Sequence, residues 1–386
     1  MEKTILSVGY PSFPAGAAQF QRQLLLAKAI LLEGFNVTVL CRYGIHSQHD
    51  GIPTKGTFEG IDFIYCSGTS LRPDGFIKRS CLKIFGLFNE IKYIRRFSKT
   101  KQLAGILIST NYFHNIFIYY VIGKIFRVTL TVENVDYWTS IKFYKEKIHL
   151  EKLLYDKYYH MFTDNIICIS DFLIQKVPKS KGRNIIKIPA ITDFDKFDSK
   201  VEDSRLVKEK YFLYCGSDAY FEVIDFVISS FERLDNNAVS LVLVTKGTSN
   251  LISRIDRSRN KGTIKIMTNL SYPDLVNMYK NSEALIIPMR DTEQDKARFP
   301  HKISEYCASH RPIITSNIGE IKNYFTEENA FLCSVFDESA YAYAMQKVIS
   351  EPELANRKAE NSYETGVENF NYKSYSRSLI KLLTNK

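Results

Sequence analysis

The sequence predicts an α/β protein built from two doubly wound, Rossmann-like parallel sheets. The chain has 386 residues, which is longer than one hydrophobic core usually supports and favours two domains. Short apolar segments alternate with amphipathic helical segments, an order typical of parallel sheets. This alternation occurs twice, and a polar, charged, weakly periodic stretch over 189–210 separates the two series. We therefore place the domain boundary within that stretch.

The elements follow in a regular order. The first series opens with a strand over 4–8, a loop with two prolines, a helix over 17–33 ended by Gly34, and a strand over 37–41. Its later strands are expected at 61–66, 105–109, 128–132 and 165–169, the last followed by a short helix from Ser170. The second series is expected to have helices over 272–280 and 301–309 and strands at 211–215, 240–244, 264–267, 284–287, 312–315 and 330–333.

These elements predict three parts of the chain. They are an N-terminal domain over 1–190, a C-terminal domain over 191–371, and a C-terminal segment over 372–386. The last segment is expected to form a final helix over 372–383, and whether it crosses back to the first domain is left open. In doubly wound sheets, ligands bind at the carboxyl ends of the strands, so we expect a ligand in a cleft between the two domains. The fold alone does not give the chemistry.

Composition excludes several classes of protein. A hydrophobic content of 45% argues against a mainly disordered chain. The seven cysteines are scattered, without metal-ligand or redox spacing, and indicate free thiols in a reducing compartment. The first residues enter a strand rather than the apolar core of a signal peptide, and the longest apolar run, 116–123, is too short for a membrane span. The sequence therefore predicts a cytoplasmic protein.

Positive charge is concentrated in the first half of the chain. Residues 1–190 hold 26 Lys and Arg against 14 Asp and Glu, a balance of +12, whereas the remainder holds 26 against 28. This asymmetry predicts an anionic partner for the first half: a membrane surface, a phosphorylated substrate or nucleic acid. Because no helix-turn-helix, zinc module or aromatic RNA motif is visible, nucleic acid is not expected.

The segment 76–101 carries eight of these basic residues and one Glu. Its apolar residues recur at helical spacing, so it predicts an amphipathic helix whose apolar face includes Ile77, Cys81, Ile84, Phe88 and Ile91. One interpretation is a helix packed on the first domain. The other is a helix on an anionic membrane, at the inner face of the cell membrane, with membrane-facing Lys92, Arg95, Arg96 and Lys99.

The most informative segment reads RFPHKISEY over 298–306. Pro300 suits the first turn of a helix, and Arg298 and Lys302 flank that start, where unpaired N–H groups favour a phosphate. Lys302 and Glu305 are three residues apart and share a face. That face offers a cation for a diphosphate and a carboxylate for ribose hydroxyls. The alternative is a surface salt bridge on an ordinary helix.

This segment resembles the donor-site region of retaining glycosyltransferases of family 4, which have the GT-B fold. The resemblance is closest to the bacterial polysaccharide branch, with its Pro-x-Lys-x-x-Glu-Tyr stretch, small-residue turn and Pro-Val-Ile. The likeness extends over most of the chain, through the stretches 7–40, 133–138, 167–177, 188–197 and 286–290.

The resemblance implies two Rossmann-like domains facing a central cleft, with the acceptor on the first and a nucleotide diphosphate sugar on the second. It implies Asp136 and His114 as catalytic residues, although a solvated or capping role is also open for His114. Gly16 and Ala17 would form an acceptor- or phosphate-binding loop. The donor would be bound by Glu305, Lys302, Arg298, Arg290, Gly216, Ser217, Pro300 and His301.

Two departures from the family pattern stand out. The family usually has a second Glu eight residues before Glu305, where this chain has Ala297, with Asp295 close by in another register. The family's Gly-Arg and Lys-Gly after the first strand of the second domain are here Gly216-Ser217 and Glu222-Val223. The usual phosphate-binding cations are therefore missing, and Arg290, Arg298 and Lys302 are the candidates to replace them.

The implied mechanism needs neither a metal nor another cofactor. Asp193 and Asp195 match an Asp-x-Asp pattern, but a turn or helix cap is the favoured interpretation. Negative charge on the leaving diphosphate would be met by cations and backbone dipoles, and the leaving phosphate would help to deprotonate the acceptor.

The predicted function is transfer of a hexose-type sugar to a lipid-linked or saccharide acceptor, in bacterial capsule or O-antigen synthesis. The alternatives are a GT-B nucleotide-sugar epimerase and a non-catalytic nucleotide-sugar-binding subunit.

Overall fold

The computed structural model describes residues 3–10, 12–16, 18–141, 149–179, 183–198, 206–234 and 238–385. The chain divides into two compact units. Unit 1 comprises Met1–Pro189 with Tyr372–Lys386, and unit 2 comprises Ala190–Asn371. Each unit has its own mainly parallel sheet, so the predicted α/β class with two Rossmann-like units is confirmed.

The sheet of unit 1 is parallel except at one edge. Its order is β3-β4-β2-β1-β5-β6-β7-β8, and only β3 pairs antiparallel among the described strands. The strands are β1 (Thr4–Val8), β2 (Asn36–Cys41), β3 (Lys55–Phe58), β4 (Ile61–Tyr65), β5 (Leu103–Ile108), β6 (Leu130–Asn134), β7 (Asn165–Cys168) and β8 (Asn184–Lys187).

The sheet of unit 2 is parallel throughout its described strands, in the order β11-β10-β9-β12-β13-β14. This is the strand order of a doubly wound dinucleotide-binding fold, in which the direction of winding reverses between the first and fourth strands. The strands are β9 (Lys210–Cys215), β10 (Val239–Val244), β11 (Ile264–Met267), β12 (Ala284–Ile287), β13 (Ile313–Ser316) and β14 (Phe331–Cys333).

Helices connect the strands in both units. Those of unit 1 before the boundary are α1 (Ala18–Leu32), α2 (Phe76–Lys99), α3 (Phe113–Phe126), α4 (Leu150–Tyr158) and α5 (Asp171–Lys176). Those of unit 2 are α6 (Asp195–Asp198), α7 (Phe221–Glu232), α8 (Ser249–Asp256), α9 (Tyr272–Lys280), α10 (Glu293–Ala297), α11 (Lys302–Ala308), α12 (Glu338–Ser350) and α13 (Pro352–Phe370). The chain then returns to unit 1 with α14 (Ser376–Thr384).

The central strands formed where the sequence predicted them because parallel strands are covered on both faces and read as apolar runs. Every residue of β1 and β12 is buried. The sequence missed β3 and β8, which are edge strands. The residues of β3 are largely exposed and those of β8 are half-buried, so neither segment has the apolar run that marks a central strand.

Two predicted segments differ from the structure. The stretch from 189 was interpreted as linker-like, but its described part up to residue 198 is folded into unit 2. There the Thr192 N–H donates to the Phe370 carbonyl at 2.8 Å, and Lys280 Nζ donates to the Phe197 carbonyl at 2.6 Å. The final helix was predicted over 372–383, but Tyr372–Tyr375 forms a 3-10 turn and the α-helix begins at Ser376.

Candidate functional site

The polar residues of interest lie where the direction of winding reverses in each sheet. In unit 1, β1 pairs with both β2 and β5, and in unit 2, β9 pairs with both β10 and β12. At such a point the connections leave on opposite faces of the sheet, which opens a crevice at the carboxyl ends of the strands. Each unit therefore has its own candidate binding site.

In unit 1 this crevice is a cavity of about 230 Å³. Its wall comes from the loops after β1, β2 and β5 and from the starts of α1 and α3. Three tyrosines supply rings on which an apolar sugar face can stack, and small polar side chains supply hydrogen-bonding groups. The lining residues are Gly9, Tyr10, Gln19, Arg42, Tyr43, Ser109, Thr110, Asn111, Tyr112 and Asn115.

Arg42 brings a charge to this cavity, but its partners neutralise it. Its Nε donates to Glu90 Oε2 at 2.7 Å, one terminal nitrogen donates to Asn115 Oδ1 at 2.6 Å, and the other donates to the Tyr119 hydroxyl at 2.9 Å. The Tyr119 hydroxyl in turn donates to Glu90 Oε1 at 2.7 Å. Burial raises the pKa of Glu90, and Arg42 opposes that rise. The first cavity is therefore polar with its charge balanced.

The predicted catalytic residues of unit 1 lie outside this lining. His114 is exposed at the start of α3, and its Nδ1 lies 3.1 Å from Glu151 Oε2. Asp136 is half-buried in the loop that follows β6. Both follow the carboxyl ends of neighbouring strands, β5 and β6.

The predicted acceptor loop lies just before α1. Gly16 has φ +141°, and a Cβ there would lie 2.9 Å from the Tyr10 hydroxyl and 3.0 Å from Ser12 Oγ. Only glycine fits this loop without displacing Tyr10, which lines the cavity. Ala17 lies outside the described residues.

In unit 2, Gly216 and Ser217 directly follow β9. A Cβ at Gly216 would lie 2.2 Å from the Tyr214 hydroxyl, and its N–H donates to the Val244 carbonyl at 3.1 Å. Ser217 Oγ accepts the Ala219 N–H at 3.3 Å and so caps a short 3-10 turn. The hydroxyl of Tyr306, on α11, accepts the Cys215 N–H at 3.3 Å. This bond ties the motif helix to the end of β9.

Glu305 lies on the buried side of α11, with 5% of its surface exposed. Its two carboxylate oxygens accept long hydrogen bonds from the hydroxyls of Tyr272, at 3.3 Å, and Tyr279, at 3.4 Å. Burial raises the pKa of Glu305, and the charge of Lys302 lowers it. A carboxylate has about four acceptor positions, so these two bonds leave capacity for further hydroxyl donors.

The arginines expected to replace the missing cations are engaged with Asp295. Arg290 donates to both oxygens of this carboxylate at 2.9 Å and also pairs with Glu222. Arg298 lies 3.0 Å from Asp295 and donates to the Tyr220 hydroxyl at 2.8 Å. Asp295 is 1% exposed, and although burial acts to raise its pKa, the two arginines hold that pKa below its usual value.

At the start of α11, two backbone N–H groups have partners. Unpaired N–H groups were predicted there, but the N–H of Ile303 donates to the Pro300 carbonyl at 3.0 Å and that of Ser304 to the His301 carbonyl at 3.3 Å. Pro300 and His301 are half-buried. Lys302 is also half-buried, and it forms no ion pair with a residue that the structure describes. The side chain of Lys302 is therefore the cation best placed to meet an anion here.

The Asp-x-Asp pattern lies at a turn into α6. The Lys196 N–H donates to the Asp193 carbonyl at 3.1 Å, and Asp195 is the first residue of the helix. Within the described ranges, no group of three His, Cys, Asp or Glu could hold a metal ion.

Helix α2 presents its predicted apolar face outward. The residues buried along it are Gly86, Glu90 and Ile94, whereas Ile77 is 77% exposed and Phe88 is 61% exposed. The basic residues Lys92, Arg95, Arg96 and Lys99 are all exposed. Of the helices in the described part of the chain, none is long and apolar enough to cross a membrane.

The comparisons with known proteins agree with this architecture. Sucrose-phosphate synthase from Thermosynechococcus elongatus superposes with a TM-score of 0.76 at 16% identity, over 99% of this chain and 98% of its own. A glycosyltransferase from Rickettsia africae gives 0.72 at 16% identity, over 100% of both chains. Anabaena HepE in complex with UDP-glucose gives 0.71 at 13% identity, again over 100% of both. The fold is thus that of the GT-B class.

The sequence of unit 2 is also similar to one protein family. Residues 196–365 match the family model described as Glycosyl transferases group 1. The matched residues lie within unit 2, so the similarity to this family concerns that unit. A search of the curated proteins finds no significant match to the sequence.

Most residues that line the first cavity are not among the site residues that the sequence predicts. Arg42, Tyr43 and Thr110 were not singled out, because they belong to no motif and have no apolar periodicity. Each follows the carboxyl end of a strand, β2 or β5, so the rule for doubly wound sheets could have found them. The partnership of Arg42 with Glu90 spans 48 residues and has no local signal.

Proposed function

We propose that this protein is a retaining glycosyltransferase that moves a hexosyl group from a nucleotide diphosphate sugar to a saccharide or lipid-linked acceptor. The observation that carries the proposal is the group 1 glycosyltransferase match over 196–365. The matched residues belong to unit 2. In that unit β9 and β12 are adjacent strands, so Gly216, after β9, and Arg290, after β12, follow neighbouring strand ends. That match also favours a transferase over a nucleotide-sugar epimerase.

In this proposal unit 2 holds the donor. Glu305 accepts the ribose hydroxyls, because its carboxylate has acceptor capacity beyond the two tyrosine hydroxyls. Lys302 lies one turn away on the same helix and meets the diphosphate. Gly216 and Ser217 allow the donor to approach the backbone at the end of β9. Arg290 and Arg298 act mainly by fixing Asp295 and the loop around it.

Unit 1 holds the acceptor in the first cavity. As the bond between the anomeric carbon and the donor phosphate breaks, the acceptor oxygen bonds to that carbon on the same face. The acceptor proton passes to the leaving phosphate oxygen. Negative charge grows on the diphosphate, and a fixed cation such as Lys302 stabilises that charge without a metal ion. Asp136 and His114 are the proposed catalytic residues on the acceptor side.

The acceptor in this proposal belongs to bacterial surface polysaccharide synthesis, of the capsule or O-antigen type. The support is the sequence resemblance of 298–315 to that branch of transferases, together with the surface of α2. An outward face with exposed apolar and basic side chains suits a cytoplasmic protein that contacts an anionic membrane from the inside.

A thermal-shift panel of nucleotides and nucleotide sugars tests the donor site. A ligand that binds only the folded state stabilises it by RT ln(1 + [L]/Kd), so nucleoside diphosphates with one preferred base should raise Tm above the others. Adding EDTA should leave that shift unchanged. A protein whose Tm responds to no nucleotide, or only with a divalent metal, would contradict the donor site as proposed.

A further inference from the structure

Unit 1 has a second cavity, of about 210 Å³, beside the first. Three of its lining side chains are cations, and none is acidic. The loop after β2, the segment before α2 and the first half of α2 form its wall. The lining residues are Tyr43, Gly44, Ile45, Arg72, Pro73, Arg79, Leu82 and Lys83.

The three cations differ from Arg42 in the first cavity. Arg42 uses all three of its nitrogens on partners that include a carboxylate. Arg72, Arg79 and Lys83 make no ion pair within the described part of the chain. Arg79 donates from Nε to the Gly75 carbonyl at 3.1 Å, and Lys83 Nζ lies 4.7 Å from the centre of the Tyr43 ring. The second cavity therefore has an uncompensated positive charge.

The backbone around this cavity is held in place. His46 pairs with Leu71, and the Arg72 N–H donates to the His46 carbonyl at 2.9 Å. A Cβ at Gly44 would lie 2.3 Å from the Ser70 carbonyl carbon, so only glycine permits this close approach. The segment before α2 that carries Arg72 is thus held by backbone hydrogen bonds to the loop after β2 that carries Tyr43.

The two cavities share Tyr43 as a common wall. One is charge-balanced with three tyrosines, and the other is cationic. Phe76 precedes Arg79 by three residues and Lys83 by seven, so it lies on the same stripe of α2 as these two cations. Phe76 is 79% exposed, and the neighbouring Ile77 is 77% exposed. An anionic cavity ligand would therefore have an apolar surface next to it.

We propose that the second cavity binds the phosphate oxygens of the acceptor, whose saccharide occupies the first cavity. This rests on the proposed function and names its acceptor as a phosphorylated saccharide. Arginine and lysine bind phosphate through charge-assisted hydrogen bonds. Because Phe76 and Ile77 are exposed beside the cavity, the phosphate in this proposal belongs to a lipid-linked saccharide. The start of its lipid chain packs against these two side chains. A soluble sugar phosphate would present the same oxygens without the chain.

The test measures diphosphate binding by titration calorimetry in a Lys302→Gln background, which weakens the proposed donor site. Replacing Arg72, Arg79 and Lys83 together with Gln should reduce the affinity for inorganic diphosphate by roughly tenfold or more, the scale of one charge-assisted hydrogen bond or more. The matched control replaces Lys92, Arg95 and Arg96, also two arginines and one lysine, and should retain the affinity. Equal affinities in the two triple variants would overturn the proposal.

A second arm identifies the source of the phosphate. Farnesyl diphosphate should bind more tightly than inorganic diphosphate, and Phe76→Ser with Ile77→Ser should abolish that difference. Equal binding of the two probes by the starting protein would overturn the lipid-linked assignment. Nucleotide-induced shifts of Tm, measured on the wild-type protein with Lys302 intact, report on unit 2 separately. A result that contradicts phosphate binding in the second cavity can therefore be distinguished from one that contradicts nucleotide binding in unit 2.

Discussion

Glu305 and Lys302 lie three residues apart, yet their surroundings differ. The carboxylate of Glu305 is buried beneath the hydroxyls of Tyr272 and Tyr279, whereas Lys302 is half-buried without an ion pair in the described residues. The sequence predicts that the two share a helix face, because that follows from spacing alone. The burial of Glu305 could not be predicted, because both tyrosines come from α9, whose packing on α11 is a tertiary contact.

Replacing Glu305 with Gln should weaken donor binding while the protein stays folded. The amide occupies nearly the same volume and can still accept a tyrosine hydroxyl, but it lacks the charge that strengthens a ribose hydrogen bond. We expect a loss of roughly 1.5–3 kcal/mol, the scale of a hydrogen bond to a charged group. Calorimetric titration with the preferred nucleotide sugar measures it, and an unchanged Kd would refute the assignment of Glu305.

The pH dependence of donor binding gives a second measurement at the same residue. Because burial raises the pKa of Glu305, the carboxylate takes up a proton at a higher pH than an exposed glutamate. Donor affinity should therefore fall on mild acidification, and the Gln variant should lose that part of the dependence. Glu305→Ala is a poorer test, since it removes the partner of two tyrosine hydroxyls and costs stability as well.

Lys302 and Arg290 should respond differently to loss of charge. Lys302→Gln should lower kcat and donor affinity with a smaller loss of stability than Arg290→Gln, because Lys302 forms no ion pair with a described residue and acts on Glu305 only through its charge. Arg290→Gln should lower the free energy of unfolding by about 1.5–3 kcal/mol, since it removes charged hydrogen bonds to the buried Asp295. Denaturation and initial rates on both variants check this. The reverse pattern would show that Arg290, rather than Lys302, serves the donor.

At the scale of the element, α2 shows where periodicity misleads. Its apolar spacing predicts the helix correctly, but the helix packs through Gly86, Glu90 and Ile94 instead. A Cβ at Gly86 would lie 1.9 Å from the Arg42 carbonyl oxygen, so glycine allows the close approach. A charge-balanced cluster around Glu90 is then buried at the contact, and the apolar stripe remains outside. A rule that places apolar residues inside could not foresee this.

The outward face of α2 should bind anionic membranes. Replacing Lys92, Arg95, Arg96 and Lys99 together with Gln should reduce sedimentation with phosphatidylglycerol vesicles, at about 1 kcal/mol for each basic residue near the surface. Wild-type binding should weaken as salt rises, because exposed charges are screened within about 10 Å at 0.1 M salt. Phosphatidylcholine vesicles are the control. If the wild-type protein does not sediment with anionic vesicles at low salt, α2 is not a membrane-binding helix.

At the scale of the whole molecule, the sequence predicts most of the architecture. The central strands of both units are apolar and buried, as in β10 and β12, so a local sequence pattern predicts them. The edge strands β3 and β8 carry no such pattern and were missed. The proposed donor residues of 298–306 could be grouped from the sequence because they are close together along the chain. The first cavity was missed because its wall comes from three separate loops and two helices.

The central claim is that unit 2 presents an activated sugar for transfer with retention. Proton NMR of a reaction with the preferred nucleotide sugar and a saccharide acceptor tests it most directly, since the anomeric coupling reports the configuration before and after transfer. The account predicts a new glycoside with the anomeric configuration of the donor, formed at an undiminished rate in EDTA. An isomerised free nucleotide sugar, or a product with inverted configuration, would contradict it.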